Sequence, residues 1–539
     1  MRTRLLAGLI CCSALLATAG ELLDLQGLID QQIASGETTV VIPPGRYRVK
    51  PQNRSHLMFK GLSDITVIAD GVEMICTETT RAVTIESCTN LTLRGMVIDY
   101  DPLPYTQGRI VSFSPDRTTC DIERMEGYPS FEKAINSKYA VYDDVTRTCL
   151  YGAYHQFEIE KLSPTRLRFI KTGSSIRDRK DGGEEIGDLI TINIAQVPGG
   201  YMPHAVFSDH SVRCTIEKIT LFASPTFAFM EDHCDGTTYL NCRLDRRPPE
   251  TDLVKRFPRL LASNADAFHS KFAVKGPQIL GCYAHWQGDD CVNICGAYHF
   301  ITEAHEDTLR VLAKNDMDIQ PGDPVELITA DGKRLPDANV VSVKPVGPTT
   351  DDERARMKKT RLLARIQGFL NDAYEIKLDR SADIPFASII CSMNRRGDGF
   401  AVKDCWFGDN RSKGIMVKGS NGEISGNRVE NCALQGIKIA PEYHWLESGY
   451  SRNVMIRDNT VVNSGSSAVW VHAFGDYAAH GNITITNNVF RSDAEPLIAI
   501  EGLNGGLIAG NISQRMDFSP VESPVSLTAC TNVTVLIKK

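Results

Sequence analysis

The sequence predicts an all-β chain: a right-handed parallel β-helix with two inserted small antiparallel β-barrel-like domains and a short N-terminal capping helix. Three observations carry that expectation. Short β-branched runs broken by Gly, Asn and Asp fill most of the chain. Three segments in the C-terminal third repeat in register with a period of about 22 residues. Two long stretches interrupt the pattern with alternating, charge-rich segments of another texture.

The first residues, MRTRLLAGLICCSALLATAG, combine Arg2 and Arg4 with an apolar run and Ala17-Thr18-Ala19. This reads as a signal peptide over 1–19, cleaved after Ala19, so the mature protein is expected in the periplasm or outside the cell. Cys11 and Cys12 do not follow the small residue that a lipid-attachment box requires. No later run is long and apolar enough to span a bilayer. Leu22, Leu25, Leu28, Ile29 and Ile33 recur at helical spacing and stop at Gly36, which predicts the capping helix. Strands then follow through 20–105, return over 199–300, and run from 385 to 539. Residues 106–198 and 301–384 are the two expected insertions, each long enough for a small core.

The repeat is clearest in DCWFGDNRSKGIMVKG (404–419), GNRVENCALQGIKIAP (426–441) and DNTVVNSGSSAVWVHA (458–473). Gly414, Gly436 and Ala468 precede the runs Ile-Met-Val, Ile-Lys-Ile and Val-Trp-Val. One such coil cannot bury its apolar face alone, whereas stacked coils share a continuous core. Asn427, Asn459 and Asn488 fall at similar turn positions, where a bend needs φ > 0 or a side-chain-to-backbone bond.

Composition narrows the partners. At 42% hydrophobic and 23% charged, with a formal net charge of -7, the chain is globular in type and lacks the basic stripe that a phosphate backbone demands. Nucleic acid is therefore not expected. Of the 16 cysteines, 14 lie beyond the leader, scattered where a small buried apolar residue would serve, as at Cys242, Cys282, Cys405 and Cys432. No paired C-x-x-C spacing suggests zinc.

Extending the repeat backwards superposes GCYAHWQGDDCVNI (281–294) on DCWFGDNRSKGIMV, so Asp290 takes the position of Lys413. One coil earlier NADAFHSKF offers Asp266, 24 residues before Asp290. If that spacing is one coil, the two aspartates sit on adjacent rungs ~4.8 Å apart with Asp289 beside them. Like charges so close are not a packing device. They suit cation binding, proton sharing for acid–base work, or a solvated turn. His269, His285 and Trp286 nearby suit a sugar, with polar groups for its hydroxyls and a ring for its C–H face. Calcium is the chemical rival.

The GDDC turn with an isolated Asp one coil earlier resembles the arrangement in polygalacturonase-type β-helix hydrolases. Neither their glycine-flanked histidine nor an Arg-x-Lys signature for a uronate carboxylate is recognised further on. The closer resemblance, through DYDPLPYTQGRI (99–110), NADAFHS and GDDCVNI over essentially the whole mature chain, is to glycoside hydrolase family 110, exported exo-acting α-galactosidases. That resemblance implies inverting hydrolysis of terminal α-1,3-linked galactose, as in the branched blood group B determinant or linear Gal-α-1,3-Gal. By residue it implies Asp289 as general acid, with Asp266 and Asp290 holding and deprotonating the attacking water. No metal or other cofactor is required. Inversion needs carboxyl groups ~6.5–9.5 Å apart, and neighbouring like charges should raise the pKa of Asp289. His269, Lys271, His285, Trp286, Glu231, Trp470 and His472 are the expected sugar contacts, and a homodimer is possible. The rivals are a Ca-dependent lyase of a uronate polymer and a non-catalytic glycan-binding solenoid.

Overall fold

The computed structural model describes residues 24–154, 157–171, 184–194, 203–252, 257–381, 383–475 and 477–536. The expected signal peptide, Cys11, Cys12 and Leu22 lie outside the described residues. The capping helix spans Leu25–Ala34, with the Asp24 carboxylate accepting from Gly27 N at 2.8 Å and Leu25 and Ile29 buried against the first coil. Among the described residues no helix is long and apolar enough to cross a membrane.

Among the described residues the chain winds, beyond the helix, into a right-handed parallel β-helix with three sheets. One holds twelve parallel strands and another eleven; the third is a twelve-stranded sheet in which Glu447–Ser448 is an antiparallel addition. The third sheet carries the aspartates at its edge and is called the site sheet. Along it Phe229, Phe268, Val292, Ile415, Ile437, Val469 and Ile498 pair rung over rung, so the aligned apolar positions become one continuous core column. Gly414 shows where the coil does require glycine before a run: a Cβ there would lie 2.4 Å from Gly436 O.

The turn asparagines act through side-chain bonds. Asn427, Asn459 and Asn488 are buried, and each Nδ2 donates to the Oδ1 of the next coil's asparagine at 2.9 Å, a ladder that runs on to Asn511. The same Nδ2 groups donate to backbone carbonyls, as Asn459 does to Ile424 O at 2.9 Å. A second, exposed ladder links Asn421, Asn453 and Asn482, all at positive φ. The described cysteines are free thiols, buried except for Cys149 and Cys530.

The two insertions differ in form. Strands from Tyr105–Phe113 to Leu189–Ile194 make a seven-stranded antiparallel sheet around Ile110, Ile122, Phe131, Phe169 and Ile192. Strands from His299–His305 to Ile389–Ser392 close a six-stranded barrel around Ile301, Val311, Leu327, Ile376 and Ile390. The barrel closes through Ile389–Ser392, past residue 384, because the apolar run there pairs with His299–His305 and Pro324–Ile328 and not with a coil.

Asn459→Ala should lower stability by about 1–3 kcal/mol in chemical denaturation, because it orphans buried groups on both neighbouring coils. Asn453→Ala, in the exposed ladder, should cost clearly less. Equal losses would contradict a structural role for the buried ladder.

Candidate functional site

The site forms where the chain turns from strand Tyr283–His285 into strand Val292–Ala297. Gly288 N donates to Ser263 O at 2.8 Å, and a Cβ on Gly288 would fall 2.8 Å from Asn264 O. Glycine is what lets the turn bearing Asp289 approach the turn bearing Asp266. The 99–110 segment fixes that second turn from outside the coil. Asp99 accepts from Arg259 Nη1 at 2.7 Å and from Arg247 Nη1 at 2.9 Å, and Tyr105 OH donates to Leu261 O at 2.7 Å. Gln107 Nε2 donates to Pro258 O, and Asn264 Nδ2 donates to Pro104 O, both at 3.0 Å. Burial opposes the Asp99 charge, but the Arg259 guanidinium outweighs it and holds the carboxyl below its usual value.

Asp266 and Asp290 occupy the same register on successive coils: Ala267 N donates to Asp290 O at 3.0 Å, and Cys291 N to Lys413 O at 3.1 Å. Both carboxylates are buried. Asp266 Oδ2 bonds His269 Nδ1 at 2.7 Å. Burial pushes the Asp266 carboxyl up to about 6, with the Asp289 and Asp290 charges adding to the rise and the His269 bond opposing it. For His269, burial acts downward, but the Asp266 bond prevails and raises the imidazole to about 10, so the two form an ion pair at neutral pH. Asp290 accepts from Lys413 N at 3.0 Å and lies 3.8 Å from Lys413 Nζ. Burial raises its pKa against the pull of that ammonium. Asp289 is the outermost of the three, its side chain 21% exposed, and accepts from Arg411 Nη2 at 3.2 Å.

Arg411 and Lys413 belong to an Arg-x-Lys triplet, Arg411-Ser412-Lys413, one coil beyond the aspartate pair, which the sequence analysis overlooked. Arg411 also donates to Gly288 O, and Lys413 lies 3.5 Å from Glu442 Oε1. Behind them lies a group of charges that sequence reasoning also missed. Lys418, 0% exposed, reaches Glu447 Oε2 at 2.8 Å and Asn293 Oδ1 at 3.0 Å. Lys438 reaches Glu442 Oε1 at 3.1 Å. Lys314, from the barrel, donates to the carbonyls of Trp445 and Leu446, and burial lowers it to about 8. Burial opposes the charge of Glu447, but Lys418, Lys314 and His269 outweigh it and keep the residue ionised. The available signal was Lys438, a charge inside the apolar run Ile-Lys-Ile.

The other expected contacts divide by strand parity. His269 and Lys271 lie on the outward face of the site sheet, and Phe227 stacks on His269 with ring centroids 4.4 Å apart. Trp470 and His472 share that outward face, but Trp470 lies four rungs from His269, ~19 Å along the stack. Both are tied to Glu501, by Trp470 Nε1 at 3.2 Å and His472 Nδ1 at 2.6 Å. Glu231 pairs with Ser270 and Ser208 on the inward row and is fully buried, so it does not share the face of the aspartates. Burial raises it to about 7. His285 lies on the adjoining sheet, where Nδ1 bonds Asp409 Oδ2 at 2.8 Å, and Trp286 sits under the Arg246 guanidinium at 3.5 Å.

Residues 390–490 match the model of a right handed beta helix region. Over 92% of its length the chain is 22% identical to alpha-1,3-galactosidase B of Bacteroides thetaiotaomicron, covering 85% of that protein. It is 20% identical over 93% of its length to alpha-1,3-galactosidase A of Bacteroides fragilis, again covering 85% of the relative. Among solved structures it is similar to the A-module of the Azotobacter vinelandii mannuronan C-5 epimerase AlgE4, at 10% identity and a TM-score of 0.42, covering 95% of this chain and 94% of that one.

Nitrogen-15 NMR of labelled histidines should find His269 cationic at pH 7 and titrating only near pH 10, while His204, lowered by burial to about 3, stays neutral on the other face of Phe227. Asp266→Asn should bring the His269 titration down by removing the carboxylate that holds its proton. A neutral His269 at pH 7 in the unmodified protein would contradict the ion pair.

Proposed function

We propose that the chain is an exo-acting, inverting glycoside hydrolase of the family 110 type that removes terminal α-1,3-linked galactose from glycans. The observation that carries the reading is the register of Asp266 and Asp290 on successive coils with Asp289 at the same turn. Asp289, the outermost carboxyl and the nearest to solvent, suits the general acid that protonates the departing oxygen. Asp266 and Asp290, deeper and paired with His269 and Lys413, suit the base that orients water and takes its proton. His269 supplies fixed positive charge, which favours the ionised form of Asp266. The names of the relatives, matched over most of this chain, support the α-1,3-galactoside as substrate.

The strand that crosses beside the site supports an exo mode. Strand Glu447–Ser448 lies antiparallel against Gly296–Ala297, and Glu447 is bound to Lys418 there. Lys314 from the barrel anchors the preceding turn. A strand crossing there suits one terminal sugar, with the polar groups of Asn293, Lys438 and Glu442 on neighbouring rungs as candidate donors and acceptors for its hydroxyls. The cationic partners of the aspartates are side chains, which favours acid–base chemistry over a carboxylate cage for calcium.

The protein should release galactose from Gal-α-1,3-Gal oligosaccharides in EDTA, and Asp289→Asn and Asp266→Asn should each lower kcat/KM by at least about 10³-fold. Release of an unsaturated uronate from an acidic polymer, only with Ca²⁺, would move the assignment to a lyase. The acid limb of kcat/KM should rise through about pH 6, as Asp266 loses its proton. His269→Gln removes a bond that favours the charged carboxylate, so the limb should move to higher pH. A limb that stays in place would separate His269 from the base.

A further inference from the structure

Around the corner from Asp289, the outward face of the adjoining sheet carries a row that crosses four coils: Arg243, Tyr283, Trp406 and Arg428. His285 stacks on Tyr283 with ring centroids 4.4 Å apart, and Trp406 stands perpendicular to both, 5.4 Å from each. Trp406 Nε1 donates to Glu430 Oε1 at 2.7 Å, which fixes the indole by its polar edge and leaves the residue 45% exposed. Arg243 lies over the Tyr283 ring at 3.9 Å and Arg428 is 5.8 Å from the Trp406 ring. Each guanidinium is paired with a carboxylate, Arg243 with Asp245 and Arg428 with Glu430. The row is thus an aromatic surface with balanced charges and many polar edges, a chemistry suited to a neutral sugar, whose C–H face stacks on a ring while its hydroxyls bond the rim.

The row is continuous with the aspartate corner. Strand Trp406–Asn410 leads directly to Asn410, whose Nδ2 donates to Asp289 O at 2.8 Å, and Asp409 binds His285 on the way. Trp406 and Asn410 are four positions apart, at most ~13 Å if fully extended, with a left-handed bend at Asp409 turning the chain toward the corner. That reach is beyond the sugar being cleaved and within an oligosaccharide attached to it. The Lys418–Glu447 ion pair and the strand Glu447–Ser448 lie past the other end of the site strand, so the row and this charged group flank the aspartate turn from opposite sides, and the row is the side we assign to the leaving group.

We infer that the Tyr283–Trp406 row is a binding platform for the neutral oligosaccharide on the leaving-group side of the scissile bond. The inference rests on the glycosidase reading of the corner and names the part of the substrate that determines specificity. Trp406 acts there as a specificity residue and takes no part in bond cleavage.

The test compares two substrates with full-length protein: a neutral tetrasaccharide ending in α-1,3-linked galactose, and an aryl α-galactoside without further sugars. In Trp406→Ala the ratio of kcat/KM for the tetrasaccharide to that for the aryl galactoside should fall about tenfold, mainly through KM, the loss expected for one stacking contact. Trp406→Phe, which keeps a ring, should restore most of it. Loss of activity on both substrates in proportion, leaving the ratio unchanged, would mark Trp406 as structural and overturn the platform while the hydrolase reading stands. Wild-type protein that cleaves neither substrate would overturn both.

Discussion

The backbone bonds from Ala267 N to Asp290 O and from Cys291 N to Lys413 O each hold one coil above the next, at the ~4.8 Å spacing of paired strands. Every other feature of the molecule depends on that stacking. It converts a period in sequence into a column in space, so Phe268 must lie over Val292, and Asp266 over Asp290. A shift of one residue in one coil would exchange the outward and inward rows, carrying His269 into the apolar core and Phe268 to the charged outward face. The buried Asn427–Asn459–Asn488 ladder and the glycines at 414 and 436 oppose such a shift. They are therefore as much part of the site's geometry as the aspartates.

The second constraint is electrostatic. The outward face of a β-helix is ordinarily wet, yet here Asp266, Asp290, His269, Lys418 and Lys438 are almost wholly buried. A buried charge without a partner costs several kcal/mol, so the fold pairs them: Asp266 with His269, Asp290 with Lys413, and Lys418 with Glu447. The insertions contribute to this enclosure. The barrel supplies Lys314 and, through the turn it anchors, helps position Glu447. The 99–110 segment leads into the first insertion and clamps the chain just ahead of Asp266. In such an enclosed site each fixed charge acts more strongly on a reacting group than it would in water.

The parts of this arrangement legible in sequence are those set by the coil period. The gap-free match of 281–294 to 404–417 carried the register of Asp290 and Lys413, and the spacing to Asp266 followed one coil earlier. Strand parity is legible as well. Glu231 precedes Asp232 as Ser270 precedes Lys271, which puts Glu231 on the inward row, away from the aspartate face. Glu447 and Lys314 were not legible, because both reach the site through departures from the period. Glu447 arrives on an excursion that folds back antiparallel, and Lys314 on a barrel strand with its own alternation. Arg411-Ser412-Lys413 was in plain view, but its meaning depends on the corner geometry that brings Arg411 to Asp289.

In the proposed reaction Asp289 donates a proton on one side of a glycosidic bond while Asp266 and Asp290 deliver water from the other. Inversion at the anomeric carbon is the direct consequence of that arrangement. The most direct measurement is proton NMR of the first minutes of reaction with a Gal-α-1,3-Gal oligosaccharide, before mutarotation mixes the anomers. With this arrangement β-galactose should appear first and α-galactose only later. Initial release of α-galactose would contradict it, because retention requires one of these aspartates to act as a nucleophile in place of water.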